Sequence, residues 1–134
     1  MGDLPMAVLL VAGAATLALY WIAFFGGGGD VKVVDDESYD KFERAFPVAD
    51  AWLAACMLVA AAGLVMEQPF GYAFMLLAGG AGIFLGLMDV TYAAQNGFFR
   101  LIRSSFAMRL NVVIYVLTLG LGTLFIAYAM PMLL

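Results

Sequence analysis

Histidine is absent from the 134 residues, and cysteine occurs once, as Cys56. The first absence removes His-ligated haem, most zinc and copper sites, and any Ser-His or Cys-His nucleophile. The second removes an intramolecular disulfide and dithiol redox chemistry. Charge is scarce too: 12% of residues are Asp, Glu, Lys or Arg, against about 25% in an ordinary soluble domain. Six Lys and Arg residues cannot build a phosphate-tracking surface, so a nucleic-acid partner is excluded. At 66% hydrophobic residues and a mean hydropathy of +1.02, neither a soluble enzyme nor a disordered tail fits. The class that remains is a small polytopic membrane protein.

A bilayer core takes about 20 consecutive apolar residues as helix. Four stretches reach that length: Pro5 to Phe25, Val48 to Met66, Phe70 to about Gln95, and Ala107 to Leu134. They are far longer than the roughly 9–11 alternating residues of a barrel strand. The expected fold is all-α, an antiparallel bundle of four transmembrane helices forming a single domain over residues 1–134. Turn chemistry marks the ends. Asp3 before Pro5 suits an N-cap, Gly26–Gly29 gives a flexible exit, and Glu67-Gln68-Pro69 makes a tight turn. Asn96-Gly97 suits a C-cap, and Ser104 or Ser105 can cap the last helix. The start lacks the basic flank of a cleaved signal peptide, and position 6 lacks the Ser or Thr of a myristoylation motif.

All six basic residues fall in or beside the first and third loops: Lys32, Lys41, Arg44, Arg100, Arg103 and Arg109. By the positive-inside rule, loops 26–46 and 96–106 are cytoplasmic and both termini lie outside a cell (inner or plasma) membrane. The first loop is acidic around Asp35, Asp36, Glu37 and Asp40, without the spacing of a calcium loop. Tyr39, Phe42 and Phe46 recur at helical spacing, with Asp40 and Arg44 placed to pair, which predicts a short amphipathic interfacial helix. The third loop, with Phe98, Phe99 and Phe106 among its arginines, reads as a second interfacial elbow. Arg100, Arg103 and Arg109 are its candidates for anionic lipid headgroups.

Helix interfaces in lipid are marked by small and polar residues. At 100° per residue, Ala78, Gly82, Gly86, Asp89, Ala93 and Asn96 share an arc of about 80°, with Ile83 about 100° away and toward lipid. The last helix carries Asn111, Tyr115, Thr118, Gly122 and Ala129 on one face, with Arg109 turned away. The first offers Leu9, Gly13, Thr16, Tyr20 and Ala23, and the second Asp50, Ala54 and Ala61. At about 1.5 Å rise per residue, Asp50 lies roughly 6 Å and Asp89 roughly 10 Å inside the cytoplasmic boundary. Tyr20, Asn111 and Tyr115 fall in the same slab.

Intramembrane carboxylates are costly, about 2.5–3.5 kcal/mol each at mid-bilayer. Asp89 and Asp50 therefore head the binding candidates, followed by Tyr20, Asn111, Tyr115 and Asn96. Asn96 also suits a cap, Asp50 suits the first turn of its helix, and Tyr20, Tyr92 and Trp21 suit an aromatic belt. Cys56 and the methionines read as packing. No catalytic residue, metal site or cofactor is expected. The sequence favours a non-catalytic accessory or structural subunit, whose partners are the bilayer and either further copies or a larger membrane complex. Next comes a small transporter or channel subunit using Asp89, with Asp50, for a proton, cation or amine. A membrane enzyme acting on a lipid headgroup ranks last.

FERAFPVADAWLA (Phe42 to Ala54) and FLGLMDVTYAAQNG (Phe84 to Gly97) resemble segments of an uncharacterised family of small four-helix bacterial and archaeal integral membrane proteins. The resemblance implies the fold and no activity. The predicted orientation is testable. Cysteines introduced at Ser38 and Ser104 should be protected from an impermeant thiol reagent in whole cells, and one at Gln68 should be labelled; the reverse pattern would invert the topology.

Overall fold

A computed structural model describes residues 2–26 and 32–134. Among the described residues the chain is helical, without strands: α1 (Leu4–Phe25), a short α2 (Glu37–Glu43), α3 (Phe46–Val65), α4 (Phe70–Gln95), a 3-10 turn (Phe98–Leu101) and α5 (Phe106–Leu133). Four stretches are long and apolar enough to cross a membrane: α1, α3 with the α2 that leads into it, α4 and α5. α3 starts at Phe46, two residues before the expected Val48, because Pro47 is accommodated within the first helical turn, where its missing N–H has no partner to lose. Gly26 closes α1 by donating its N–H to the Ile22 carbonyl at 2.8 Å. The rest of the glycine run, 27–29, lies outside the described residues.

The remaining turns follow their chemistry. After α3, Gln68 donates to Gly63 O at 2.8 Å and Glu67 to Leu64 O at 3.1 Å, the paired bonds of a Schellman ending. Glu67 takes the left-handed conformation there (φ 56°) without being glycine. Gly97 does the same after α4 (φ 68°), and Ser105 caps α5 by accepting from Met108 N at 3.1 Å. Asp3 departs from expectation. Its carbonyl accepts the first helical bond, from Ala7 N at 2.9 Å, but its carboxylate makes no cap and is held by tyrosines of other helices. The loop charges also pair differently. Asp40 meets Lys32 at 3.3 Å rather than Arg44, and the bond one helical turn apart joins Glu37 to Lys41 at 3.1 Å. Lys32 reaches Asp40 while lying over the Phe24 ring, a position the exposed Arg44 does not have.

Packing is led by backbone approach. α3 packs against both α1 and α4, and α4 against both α3 and α5. A Cβ at Gly71 would come 2.7 Å from Leu64 N, and one at Gly79 would come 2.7 Å from Gly122 O. Gly79 and Gly122, rather than Gly82, therefore mark the closest α4–α5 contact; Gly82 has 3.5 Å to its nearest neighbour. Ile83 does not face lipid as expected. Its Cγ1 lies 2.9 Å from where a Cβ on Gly122 would stand, because the contact centres on Gly79, about 60° round the helix from Gly82.

α1 differs most from its sequence reading. Its buried residues are Met6, Ala7, Leu10, Ala14 and Phe24, whereas Leu9, Thr16 and Ala23 are exposed. The helix packs on α3 and makes no close backbone approach to α4 or α5. Side-chain hydrogen bonds tie it to α5 at its two ends, Tyr20 to Asn111 at 3.4 Å and Asp3 to Tyr128. Between these ties a groove of about 280 Å³ runs along the α1–α5 boundary.

Adding a methyl group where the space is absent should cost about 1–3 kcal/mol. Gly79→Ala should therefore melt well below wild type in detergent. Gly80→Ala, whose Cβ meets nothing within 4 Å, should melt no lower. Equal melting temperatures for the two variants would contradict the α4–α5 contact.

Candidate functional site

Three acidic side chains from three helices converge where the groove meets the α2 end of the bundle. Asp89 of α4, Asp50 of α3 and Glu43 of α2 line one cavity of about 40 Å³, together with Tyr20, Trp21, Asn111, Thr16, Leu17, Phe46 and Ile114. Among the described residues no Lys or Arg lines it. The space suits one or a few water-sized groups, since a water needs roughly 10–15 Å³ on this measure. Glu43 is 5% exposed and Asn111 3%. The Trp21 indole donates to Asp50 Oδ2 at 2.7 Å, and the Tyr20 hydroxyl donates to Asn111 Oδ1 at 3.4 Å. Asn111 also donates to Ala107 O at 2.8 Å, on its own helix.

Local sequence explains each placement. Asp89 follows Gly82 and Gly86 on the inward face of α4, where small residues let α5 come close. Asp50 is near the start of α3, within reach of Trp21 on the adjoining α1. Glu43 is carried in by the docking of α2. Tyr39, 2% exposed, packs edge-on to Phe98 with ring centroids 5.8 Å apart. Phe42 stacks on Tyr92 of α4 at 3.8 Å and 6°. α2 is thus seated on the end of the bundle by its aromatic face, and the 3-10 turn contributes a buried Phe98 to the same cluster.

The sequence candidates divide cleanly. Asp89, Asp50, Tyr20 and Asn111 meet at the cavity. Tyr115 is buried one turn beyond Asn111, against Phe99, and does not line it. Asn96 is exposed and caps α4, donating to Tyr92 O at 2.8 Å. Arg100, Arg103 and Arg109 lie outside the cavity and are exposed; Arg109 turns back to donate to Ile102 O and Arg103 O. Two members were missed. Trp21, read as a belt aromatic, holds Asp50. Glu43, four residues after Tyr39 and three before Phe46, falls on the apolar face of α2, and that period was the available signal.

A second polar cluster stands at the other end of α1. The Asp3 carboxylate accepts hydrogen bonds from Tyr128 of α5 and, at 2.6 Å, from Tyr72 of α4. Comparison with known protein families, curated proteins and solved structures returns no match, for the Phe42–Ala54 and Phe84–Gly97 resemblance or for any other part. Function has to be argued from the residues.

The Asp3 bonds make a pH prediction. Hydrogen bonds from Tyr128, then Tyr72, hold its carboxyl below the ordinary value of 3.8. A lowered folded value adds stability that is present above the unfolded value and is lost as pH falls through the folded one. Asp3→Asn should therefore melt below wild type near neutral pH, with the gap closing as pH falls below 3.8. A gap that does not change with pH would show that the tyrosines do not depend on the charge.

Proposed function

We propose that this is a small multi-pass membrane protein that binds a proton or monovalent cation at the Asp89–Asp50–Glu43 cavity, in the manner of a transporter or its subunit. Its four spans run antiparallel, with the acidic end of the bundle at the cytoplasmic face and both termini outside. One observation carries the reading: three carboxylates from separate helices line a cavity that no basic side chain lines. In a low-dielectric setting, grouped carboxylates are tolerated only when protons or a bound cation neutralise them. Among the described residues no three acidic or cysteine side chains are placed to hold a metal ion together, which favours a proton or a singly charged ligand. An accessory subunit would have the space beside Asp89 filled by packing side chains. The cavity there supports binding instead.

Ethylammonium chloride tests the site. Added to the protein in phosphatidylcholine nanodiscs, it should change Trp21 emission saturably, with Trp52→Phe removing the other indole. Asp89→Asn keeps size and polarity but removes the charge, so it should fold normally and bind about tenfold more weakly or not at all. Under a purely structural role Asp89→Asn would match wild type, and only Asp89→Leu would unfold the bundle.

A further inference from the structure

The groove between α1 and α5 and the acidic cavity adjoin each other. Thr16, Leu17 and Ile114 line both. The groove walls are apolar, formed by Leu9, Leu53, Met57, Leu117, Leu121 and Phe125 among others. Its two hydroxyls are already used: Thr16 donates to Ala12 O at 2.8 Å and Thr118 to Ile114 O at 2.6 Å, each on its own helix. The groove therefore offers a ligand almost no hydrogen bonding until it reaches the carboxylates. It is open toward the surface, where Leu9 and Leu117 are exposed.

We infer that the cavity is loaded sideways from the bilayer by a single-chain primary alkylammonium, its chain lying in the α1–α5 groove and its ammonium in the cavity that Asp89, Asp50 and Glu43 line. The inference rests on the cation-binding reading and adds the class of ligand and its route. Charge complementarity sets the polar end, since the lining carries three acids and no base. Size sets the kind of cation. A cavity of about 40 Å³ takes a water-sized –NH₃⁺ with its three donors, whereas a trimethylammonium is bulkier and has no N–H to donate. The groove, at about 280 Å³, is near the roughly 300 Å³ lower bound of small-molecule pockets and suits one narrow chain. A phospholipid fits less well, because a phosphate next to its amine would face the same carboxylates.

Dodecylamine, ethylammonium and dodecyltrimethylammonium should be titrated against the protein in phosphatidylcholine nanodiscs, read through Trp21 in the Trp52→Phe background. A bilayer concentrates dodecylamine by itself, so the deciding comparison is between protein variants. Ala12→Phe and Leu117→Phe place bulk in the groove, on residues that line no part of the cavity. Both should weaken dodecylamine about tenfold and leave ethylammonium unchanged, and dodecyltrimethylammonium should bind wild type more weakly than dodecylamine does. Should one variant fail to fold, the other, on the opposite wall, still decides the matter. If both variants leave dodecylamine unaffected while Asp89→Asn abolishes ethylammonium binding, the sideways route is wrong and the cation site stands. If Asp89→Asn changes no titration, the site and the route fall together. Loss of the dodecylamine response when phosphatidylethanolamine replaces part of the phosphatidylcholine would give the groove to a bilayer lipid. Dissociation of a dimer by Ala12→Phe, with no effect on dodecylamine, would give it to a second copy; either result overturns the proposal.

Discussion

A carboxylate is among the most costly groups to bring into a membrane, and its cost falls where protein, polar groups and nearness to the interface replace the hydrocarbon. That constraint orders this molecule. The three acids are gathered at one end of the bundle, against Trp21, Tyr20 and Asn111, rather than spread along the helices. The other interior residues of α3, α4 and α5 are mainly small or apolar, because with the polar groups collected in one place nothing else has to be satisfied there. The same logic holds at the far end, where Asp3 meets two tyrosine hydroxyls instead of lipid.

Helix spacing supplies the second half of the arrangement. α4 and α5 touch backbone to backbone at Gly79 and Gly122, and α3 and α4 do so at Gly63 and Gly71. Without a hydrophobic drive between helices in lipid, such close approach is the main source of attraction. α1 has no equivalent contact with α5. The nearest it comes to a glycine interface is Gly13, whose missing Cβ leaves 3.0 Å to the Met57 sulfur on α3. α1 therefore packs on α3 and α5 on α4, with no close backbone approach between α1 and α5 themselves. The groove is what this unequal packing leaves open.

The spans were legible because length and hydropathy alone fix them, and the face of α5 was legible because Asn111, Tyr115, Gly122 and Ala129 recur at a strict helical period. The face of α1 was misread for an instructive reason. In the seam Leu9, Gly13, Thr16, Tyr20 and Ala23 all but Leu9 are small or polar, and such a stripe reads as a helix contact. Here its first four members line the groove and cavity, while larger residues such as Met6 and Leu10 make the contact with α3. Periodicity locates an inward face but cannot tell a neighbouring backbone from an empty space. Ile83 went wrong more simply, since only about 60° of rotation separates a seam centred on Gly82 from one centred on Gly79. Glu43 was passed over because an acid within a run of acids reads as solvated; only the docking of α2 through Tyr39 and Phe42 turns it inward.

That docking links the acidity of the cavity to a part of the chain outside the four spans. Asp50 and Asp89 belong to long helices whose positions are set by packing along their whole length. Glu43 belongs to a seven-residue helix, too short to be stable on its own, so its place depends on the bundle it is seated on. Two aromatic contacts and the Lys32–Asp40 ion pair hold it there. Were α2 to lift away, the cavity would lose one of its three carboxyl groups and the cover over its α2 end in a single step. If the cavity binds a cation as proposed, affinity and access from that end would be governed by the same short helix, and access from the bilayer by the α1–α5 groove.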